Sequence, residues 1–267
     1  MGVSSTLQRS APVSWRLPSR SRTISVVSVG LFLLAWQVAA ERGFVNGRFT
    51  SQPILVGKAA LEVLQTDNFL YHARISLTEF VLGFALALVV SIPLGVILGT
   101  SHVARYLVDP PLMALYTAPT LMLLPILIVW LGIGMASKIA VVFLGAFFPM
   151  IVNTMAGMRE ADPGLIRAAR SFGANKLDVC SRVLVPGSLP SILAGIRLAI
   201  GRAVLGVVVG ELYVSQAGIG HQLRSYGLAM RIDRLLVYAI AVSIFGYTLT
   251  ALVGFLEARV RSWRPER

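Results

Sequence analysis

Three histidines and one cysteine are the first candidates for chemistry in this sequence of 267 residues, and their spacing excludes most of it. His72, His102 and His221 lie far apart, and no H-E-x-x-H is present. A lone Cys180 forms neither an internal disulfide nor a cysteine-rich metal site. Nucleophile, base and metal ligands are nowhere grouped, so no catalytic, cofactor-binding or metal residue is assigned, and no cofactor is expected. Phosphate binding fails as well. A phosphate loop needs G-x-x-x-x-G-K-[ST], but the only Gly-Lys pair, Gly57-Lys58, has Gln52 in place of the first glycine. "GIGMAS" and "GIGHQL" lack the last glycine of G-x-G-x-x-G. The chain itself is not expected to bind or hydrolyse ATP.

Charge in an apolar setting is the chemistry that remains. Arg202 sits inside "ILAGIRLAIGRAVLGVVVGEL" (residues 192–212), with Arg197 nearer one end and Glu211 near the other. An arginine at the centre of a membrane helix costs about 2.5–3.5 kcal/mol on insertion scales. Such a residue is paired, or it faces a wet cavity. Arg202 and Glu211 are therefore candidates for a translocation path; a purely structural pair is the other reading. Arg197 is close enough to its end to snorkel.

A second kind of chemistry is mechanical. "RAARSFGANKLDVCSRVLVPGSLP" (residues 167–190) is a polar interruption in an otherwise apolar chain. Asp162 followed by Pro163 is an N-cap acceptor and a first-turn proline. Leu165, Ala168, Ala169 and Phe172 then recur at i, i+3, i+4 and i+7 on one face. Gly173 ends that helix in the left-handed conformation. Asn175 starts a second one, with Leu177, Cys180, Val183 and Leu184 on one side, and Pro186 is expected to stop it. Two short amphipathic helices with small alanines at mid-face suit docking into a groove of another protein.

Positioning these residues falls to a set of apolar helices. The composition is 56% hydrophobic and 13% charged, against about 25% charged in ordinary soluble domains. The mean hydropathy is +0.76. The net charge is +12, but its arginines are spread between apolar runs rather than gathered on one surface, which argues against nucleic acid as a partner. A bilayer core takes about 20 apolar residues per helix, and six runs qualify: about 24–40, 80–99, 112–134, 139–157, 192–212 and 235–256. The fold class is an all-α integral membrane protein with six transmembrane helices.

The first 23 residues read as a basic, disordered cytoplasmic tail, and residues 24–267 as one domain. The first span reads as an uncleaved signal anchor rather than a leader, because the tail is long and more spans follow. With both termini in the cytoplasm, fourteen loop Arg and Lys lie inside and eight outside. The interruption, residues 158–190, then falls in the cytoplasm. Within the spans, Pro93, Pro119, Pro125 and Pro149 are expected to kink helices. Gly95/Gly99 and Gly206/Gly210 form G-x-x-x-G pairs for close helix contact, within one chain or between two. Around residues 49–77, a surface helix with Leu55, Ala59 and Val63 on one face and an ordinary loop are both open.

The interruption also resembles a family signature. Ala168, Ala169 and Gly173, then nine residues, then Val183, Val185 and Pro186 look like the EAA motif of permease subunits of ATP-binding-cassette importers. "SLTEFVLGFALALVVSIPLGVILGTS", "GIRLAIGRAVLGVVVGELYVSQAGIGHQL" and "LEARVRSWRP" each resemble blocks of the aliphatic-sulfonate, taurine and nitrate permeases. The likeness runs from about residue 52 to 264. One departure stands out: Arg167 occupies the position where the motif usually carries glutamate. The resemblance implies a type I (MetI-like) permease fold in a bacterial inner membrane. It implies coupling helices that dock on two copies of a cytoplasmic ATPase, with Arg167, Ala168, Ala169, Phe172, Gly173, Val183 and Pro186 at the contact. It further implies a permease homodimer and an extracytoplasmic solute-binding protein. A stand-alone secondary transporter or channel is the alternative, and it leaves the docking helices without a purpose.

Overall fold

Prolines, glycines and side-chain caps set the boundaries of twelve α-helices among the described residues. These are α1 (Ser19–Glu41), α2 (Gly47–Thr50), α3 (Pro53–Thr66), α4 (Phe69–Thr100), α5 (His102–Thr117), α6 (Leu124–Leu131), α7 (Met135–Arg159), α8 (Pro163–Ser171), α9 (Lys176–Val179), α10 (Val185–Val214), α11 (Ile219–Leu228) and α12 (Ile232–Arg261). A computed structural model describes residues 19–261, without the side chains of 19–22, 48, 102, 104, 105, 260 and 261. Most of the expected basic tail, residues 1–18, lies outside the described residues; Ser19 already belongs to α1.

Five helices are long and apolar enough to cross a bilayer: α1, α4, α7, the continuous run Lys176–Val214 and α12. A sixth crossing is broken. Tyr106–Thr117 and Thr120–Leu131 are bent by 86° at the residues between them. The expected single helix over 112–134 is thus two pieces joined by a 3-10 turn, Thr120–Leu123. Pro119 is the cause: it has no N–H to continue the α5 ladder and it disfavours helical geometry at Ala118. Pro125 does no harm, because it falls in the first turn of α6, where its missing N–H would have no helical partner.

Two further boundaries differ from the hydropathy reading. Helix α4 begins at Phe69 rather than near residue 80, and its 32 residues reach about 48 Å. Its first turns carry polar residues whose partners lie far away in sequence. Pro186 does not stop the second docking helix. Cys180–Leu184 form a π-helical turn that leads into α10, and Pro186 sits in the first turn of that helix, where proline is tolerated.

The centre of the molecule is α7, held between α4 and α10. Contacts in register show that α4 runs parallel to α7: Gly83 against Val142, Gly95 against Thr154, Gly99 against Met158. Helix α10 runs antiparallel: Gly195 against Asn153, Gly206 against Val142, Gly210 against Lys138. A Cβ on Gly95 would come 2.7 Å from the Cβ of Thr154, so these helices touch backbone to side chain without room for another carbon. Both G-x-x-x-G pairs therefore serve contacts within one chain. Phe80, Ala87, Val142, Ala146, Met150, Ala199, Ala203 and Val207 fill the buried core between the three helices.

The remaining helices pack outside this trio. Helix α3 is the amphipathic surface helix, and it buries Val56, Ala59 and Val63. Leu55, expected on that face, is 43% exposed, and Val56 takes its place beside Ala59 and Val63. Helix α1 is exposed along most of its length.

Candidate functional site

Three places on this frame carry polar chemistry. The first is the two-helix projection at the end of α7. Asp162 caps α8 by accepting the Gly164 N–H at 2.7 Å, and Pro163 occupies the first turn. Gly173 takes φ +80°, so the chain reverses there without a side-chain penalty. Asn175 and Asp178 then form a reciprocal capping box: the Asp178 N–H donates to Asn175 Oδ1 at 2.9 Å, and the Asn175 N–H donates to Asp178 Oδ2 at 3.2 Å. The two caps make a rigid bent element. Its apolar side chains have nothing to cover them: Phe172 is 93% exposed and Leu177 80%, with Leu165 and Ala168 also exposed. Arg167 points into the open as well, Ala169 is half-buried, and Val183 and Pro186 line a depression with Leu165, Arg182 and Gly187. Of the seven expected docking residues, Arg167, Ala168, Phe172, Gly173 and Pro186 are exposed and Ala169 and Val183 half-buried. At its base, Arg159 grips Asp109 with two hydrogen bonds, 2.6 and 2.9 Å, and ties α7 to α5.

Arg202 marks the second place. It lies near the middle of α10 and is exposed. Its guanidinium stands over the Tyr116 ring, 4.5 Å from the centroid, and Nη1 donates to the Tyr116 carbonyl at 3.4 Å. That carbonyl belongs to the last turn of α5, just before the break. No carboxylate among the described residues forms an ion pair with Arg202. Arg197 differs: it pairs with Glu257 of α12 at 3.2 Å.

Glu211 is nine residues from Arg202 but does not share its surroundings. It belongs to the third place, a buried polar knot at the end of the bundle remote from α8. Glu79 of α4, Lys138 of α7 and Glu211 of α10 meet there, at 0%, 6% and 0% exposure. Lys138 Nζ is paired with Glu79 Oε1 and also donates to Ser215 Oγ at 3.0 Å. One Glu211 oxygen accepts from the Ser76 hydroxyl and the other from the Gly220 N–H, both at 2.6 Å. His72 Nδ1 accepts the Gly218 N–H at 3.0 Å, Ser76 Oγ accepts the Ile219 N–H at 2.9 Å, and His221 Nδ1 lies 2.8 Å from the Ser215 carbonyl. All of these groups except Glu79, which acts through Lys138, hold the turn between α10 and α11. Gly218 sits in that turn at φ +114°, and a Cβ would run into the Glu211 carboxylate.

Sequence reasoning missed Glu79 and Lys138. Both fall just outside the hydropathy windows and look like loop charges. The signal available was their sign: two acids and one base, each bordering an apolar run on the same side of the predicted membrane.

A neighbouring polar cluster fastens the surface helix. Asp67 accepts from the Tyr226 hydroxyl and from Arg234 Nη1, the latter at 3.1 Å, and Arg234 Nη2 reaches Glu62 at 3.0 Å. Burial and the adjacent Asp67 raise the Tyr226 phenol above its ordinary pKa. Between α4, α10, α11 and α12 lies a cavity of about 220 Å³ lined almost entirely by apolar side chains, Phe80, Val204, Val208 and Phe245 among them. It offers no donor set for a polar solute.

The family model for the binding-protein-dependent transport system inner membrane component matches residues 91–262. The chain belongs to this family. The permease is 30% identical over 260 residues to the taurine transport system permease protein of Escherichia coli (strain K12), covering 95% of this chain and 94% of the relative. It is 32% identical over 234 residues to a Bacillus subtilis (strain 168) protein named for aliphatic sulfonates transport, covering 88% and 85%. It is 30% identical over 256 residues to the formylaminopyrimidine transport permease protein of Halalkalibacterium halodurans, covering 92% and 99%. Among solved structures, an inward-facing MetNI methionine ABC transporter superposes with a TM-score of 0.56 at 22% identity, over 72% of this chain and 94% of that one. That likeness shows the fold. The permease is thus a multi-pass inner-membrane component of a type I ABC importer.

Proposed function

We propose that this permease forms, with a second copy of itself, the translocation path for a small anion such as a sulfonate, taurine or nitrate, and that a separate cytoplasmic ATPase drives it through α8 and α9. The observation that carries this reading is the capped, rigid projection whose Leu165, Phe172 and Leu177 have no cover within the chain. Apolar side chains of that size on a polar loop mark a protein contact. The anion class comes from the taurine and sulfonate relatives, and Arg202 is its counterpart in the bundle. An extracytoplasmic binding protein would deliver the solute. Residues 24–267 act as one domain, with both termini and the α8–α9 end in the cytoplasm; Arg159, Arg167, Arg170, Lys176 and Arg182 at that end agree with the positive-inside bias. Two ATPases closing on ATP would move the docked helices, and the bundles with them. Without differential contact at the projection, ATP would have no hold on the membrane helices.

In this reading Arg202 borders the path, and Glu211, expected beside it, contributes by fixing the end of α10. Two variants of the projection test the mechanism in the intact complex. Ala168→Asp places a charge on the docking face, and Gly173→Pro cannot adopt the φ +80° reversal. Each is expected to leave the permease in the membrane while ATP-driven uptake in proteoliposomes falls to background. Uptake at the wild-type rate would overturn the docking mechanism. Arg167→Glu sharpens the contact: its yield of co-purified ATPase falls if an acidic partner surface faces Arg167, and unchanged recovery refutes that pairing.

A further inference from the structure

We infer that Arg202 is a binding point for a single small oxyanion of the sulfonate, nitrate or carboxylate type, held midway through the bundle. The inference deepens the transport reading and rests on it, since the exposed face of α10 must border a wet path. Three observations lead there.

The first is charge balance. Arg202 lies within a membrane-crossing helix, yet its protein contacts are a carbonyl and an aromatic face. The carboxylates nearest in the crossing helices are committed elsewhere: Glu79 and Glu211 to the knot, Glu257 to Arg197, Asp109 to Arg159. A second copy of the chain brings the same commitments, so a dimer does not supply the missing charge at this depth. A guanidinium at mid-membrane without a counter-charge is costly, and an arriving anion removes that cost.

The second is space. Leu198, Gly201, Arg202 and Leu205 share an exposed face of α10. A Cβ added at Gly201 would meet nothing within 4 Å, whereas glycines on the opposite side of the helix are packed against α7. The guanidinium therefore borders open volume rather than the core.

The third is orientation. Tyr116 stacks on the guanidinium and accepts one Nη1 bond at 3.4 Å, longer than a good N–H···O contact. The ring and the carbonyl hold one side of the guanidinium, and the other N–H donors find no acceptor among the described residues. A planar fork of free donors matches two oxygens of a sulfonate, nitrate or carboxylate, as an ammonium would not.

The test uses the purified full-length permease in detergent, with its ATPase where that co-purifies. Methanesulfonate is titrated at constant ionic strength, with dimethyl sulfone as a neutral molecule of similar shape, and thermal stability is read. A saturable rise with methanesulfonate, none with dimethyl sulfone, and a half-saturation raised at least about tenfold in Arg202→Gln would support the site. Arg202→Lys should fall between the two, keeping charge but losing the fork. No saturable rise, or one unchanged in Arg202→Gln, overturns the proposal. Phenylglyoxal labelling of the wild-type chain gives an independent reading should Arg202→Gln not fold. Methanesulfonate should slow modification of the Arg202 peptide and dimethyl sulfone should not; equal rates overturn the site. Failure here leaves the docking variants untouched, and wild-type uptake by those variants would sink the importer mechanism instead, so the two outcomes are distinguishable.

Discussion

Two charged regions of the same bundle have been built on opposite terms. At the end remote from α8, three ionisable side chains are buried together with two histidines, two serines and the turn from Ser215 to Gly220, and nearly every donor there has a protein acceptor. Midway along, one arginine stands exposed beside a single carbonyl. Both arrangements lie in a chain that lipid surrounds, where an uncompensated charge is expensive. The difference separates two uses of charge. A charge that holds the fold together finds its partners within the chain. A charge that serves something brought from outside is left incomplete.

The largest expected effect comes from breaking the closed region. Lys138→Met removes the cation from between Glu79 and Glu211 and leaves two buried carboxylates without their counter-charge. Breaking such a pair from one side costs about 3–5 kcal/mol. The variant should lose most of its folded yield, measured by monodisperse recovery in detergent. Glu79→Gln added to Lys138→Met removes one of the stranded charges and should restore a large part of that yield. A single variant as stable as the wild type would refute the structural role of the knot.

How far the sequence reveals these regions depends on the range of the interactions involved. The docking projection was legible almost entirely, because its determinants are local: Asp162 before Pro163, Gly173 at the reversal, Asn175 before α9. Proline at position 186 misled for a local reason too, since a stop and a first turn look alike until the preceding π turn is seen. The knot was not legible. Glu79, Lys138 and Glu211 belong to three helices, and hydropathy places the first two outside the bilayer. Only parallel packing of α4 on α7 and antiparallel packing of α10 bring them together. The broken crossing was half legible: Pro119 signals a kink, but a bend of 86° needs the neighbouring helices that accept it. Arg202 could be identified as unusual from its apolar neighbours, while its lack of a carboxylate required knowing where every other carboxylate goes.

Glycine substitutions give a smaller and more local contrast between the regions. Gly218→Ala demands φ +114° of an L residue and drives a Cβ into the pinned Glu211 carboxylate. Strain of this kind costs about 1–3 kcal/mol. Gly201→Ala meets open space on the exposed face of α10, and alanine is the better helix former by up to about 1 kcal/mol. The midpoint of thermal unfolding in detergent should therefore fall for Gly218→Ala and hold or rise for Gly201→Ala. Equal losses from both would mean that the α10 face is packed, and the open volume assigned to Arg202 would be gone.

The smallest effect is the most informative, because it is a difference close to zero. Arg197 and Arg202 are separated by about a turn and a half of the same helix. Arg197→Gln leaves Glu257 without its partner. The pair is only partly buried, so the loss should be no more than about 1 kcal/mol. Arg202→Gln strands no carboxylate. It gives up one long bond to the Tyr116 carbonyl and the ring contact, and it relieves the cost of a bare guanidinium. These changes oppose one another, and the net change in stability should stay within about 0.5 kcal/mol. A permease in which Arg202→Gln unfolds as readily as Lys138→Met would show that the mid-bundle arginine holds the helices together. One that keeps its wild-type stability carries at position 202 a charge the fold does not require, and the reason for retaining it then lies in what passes through the bundle.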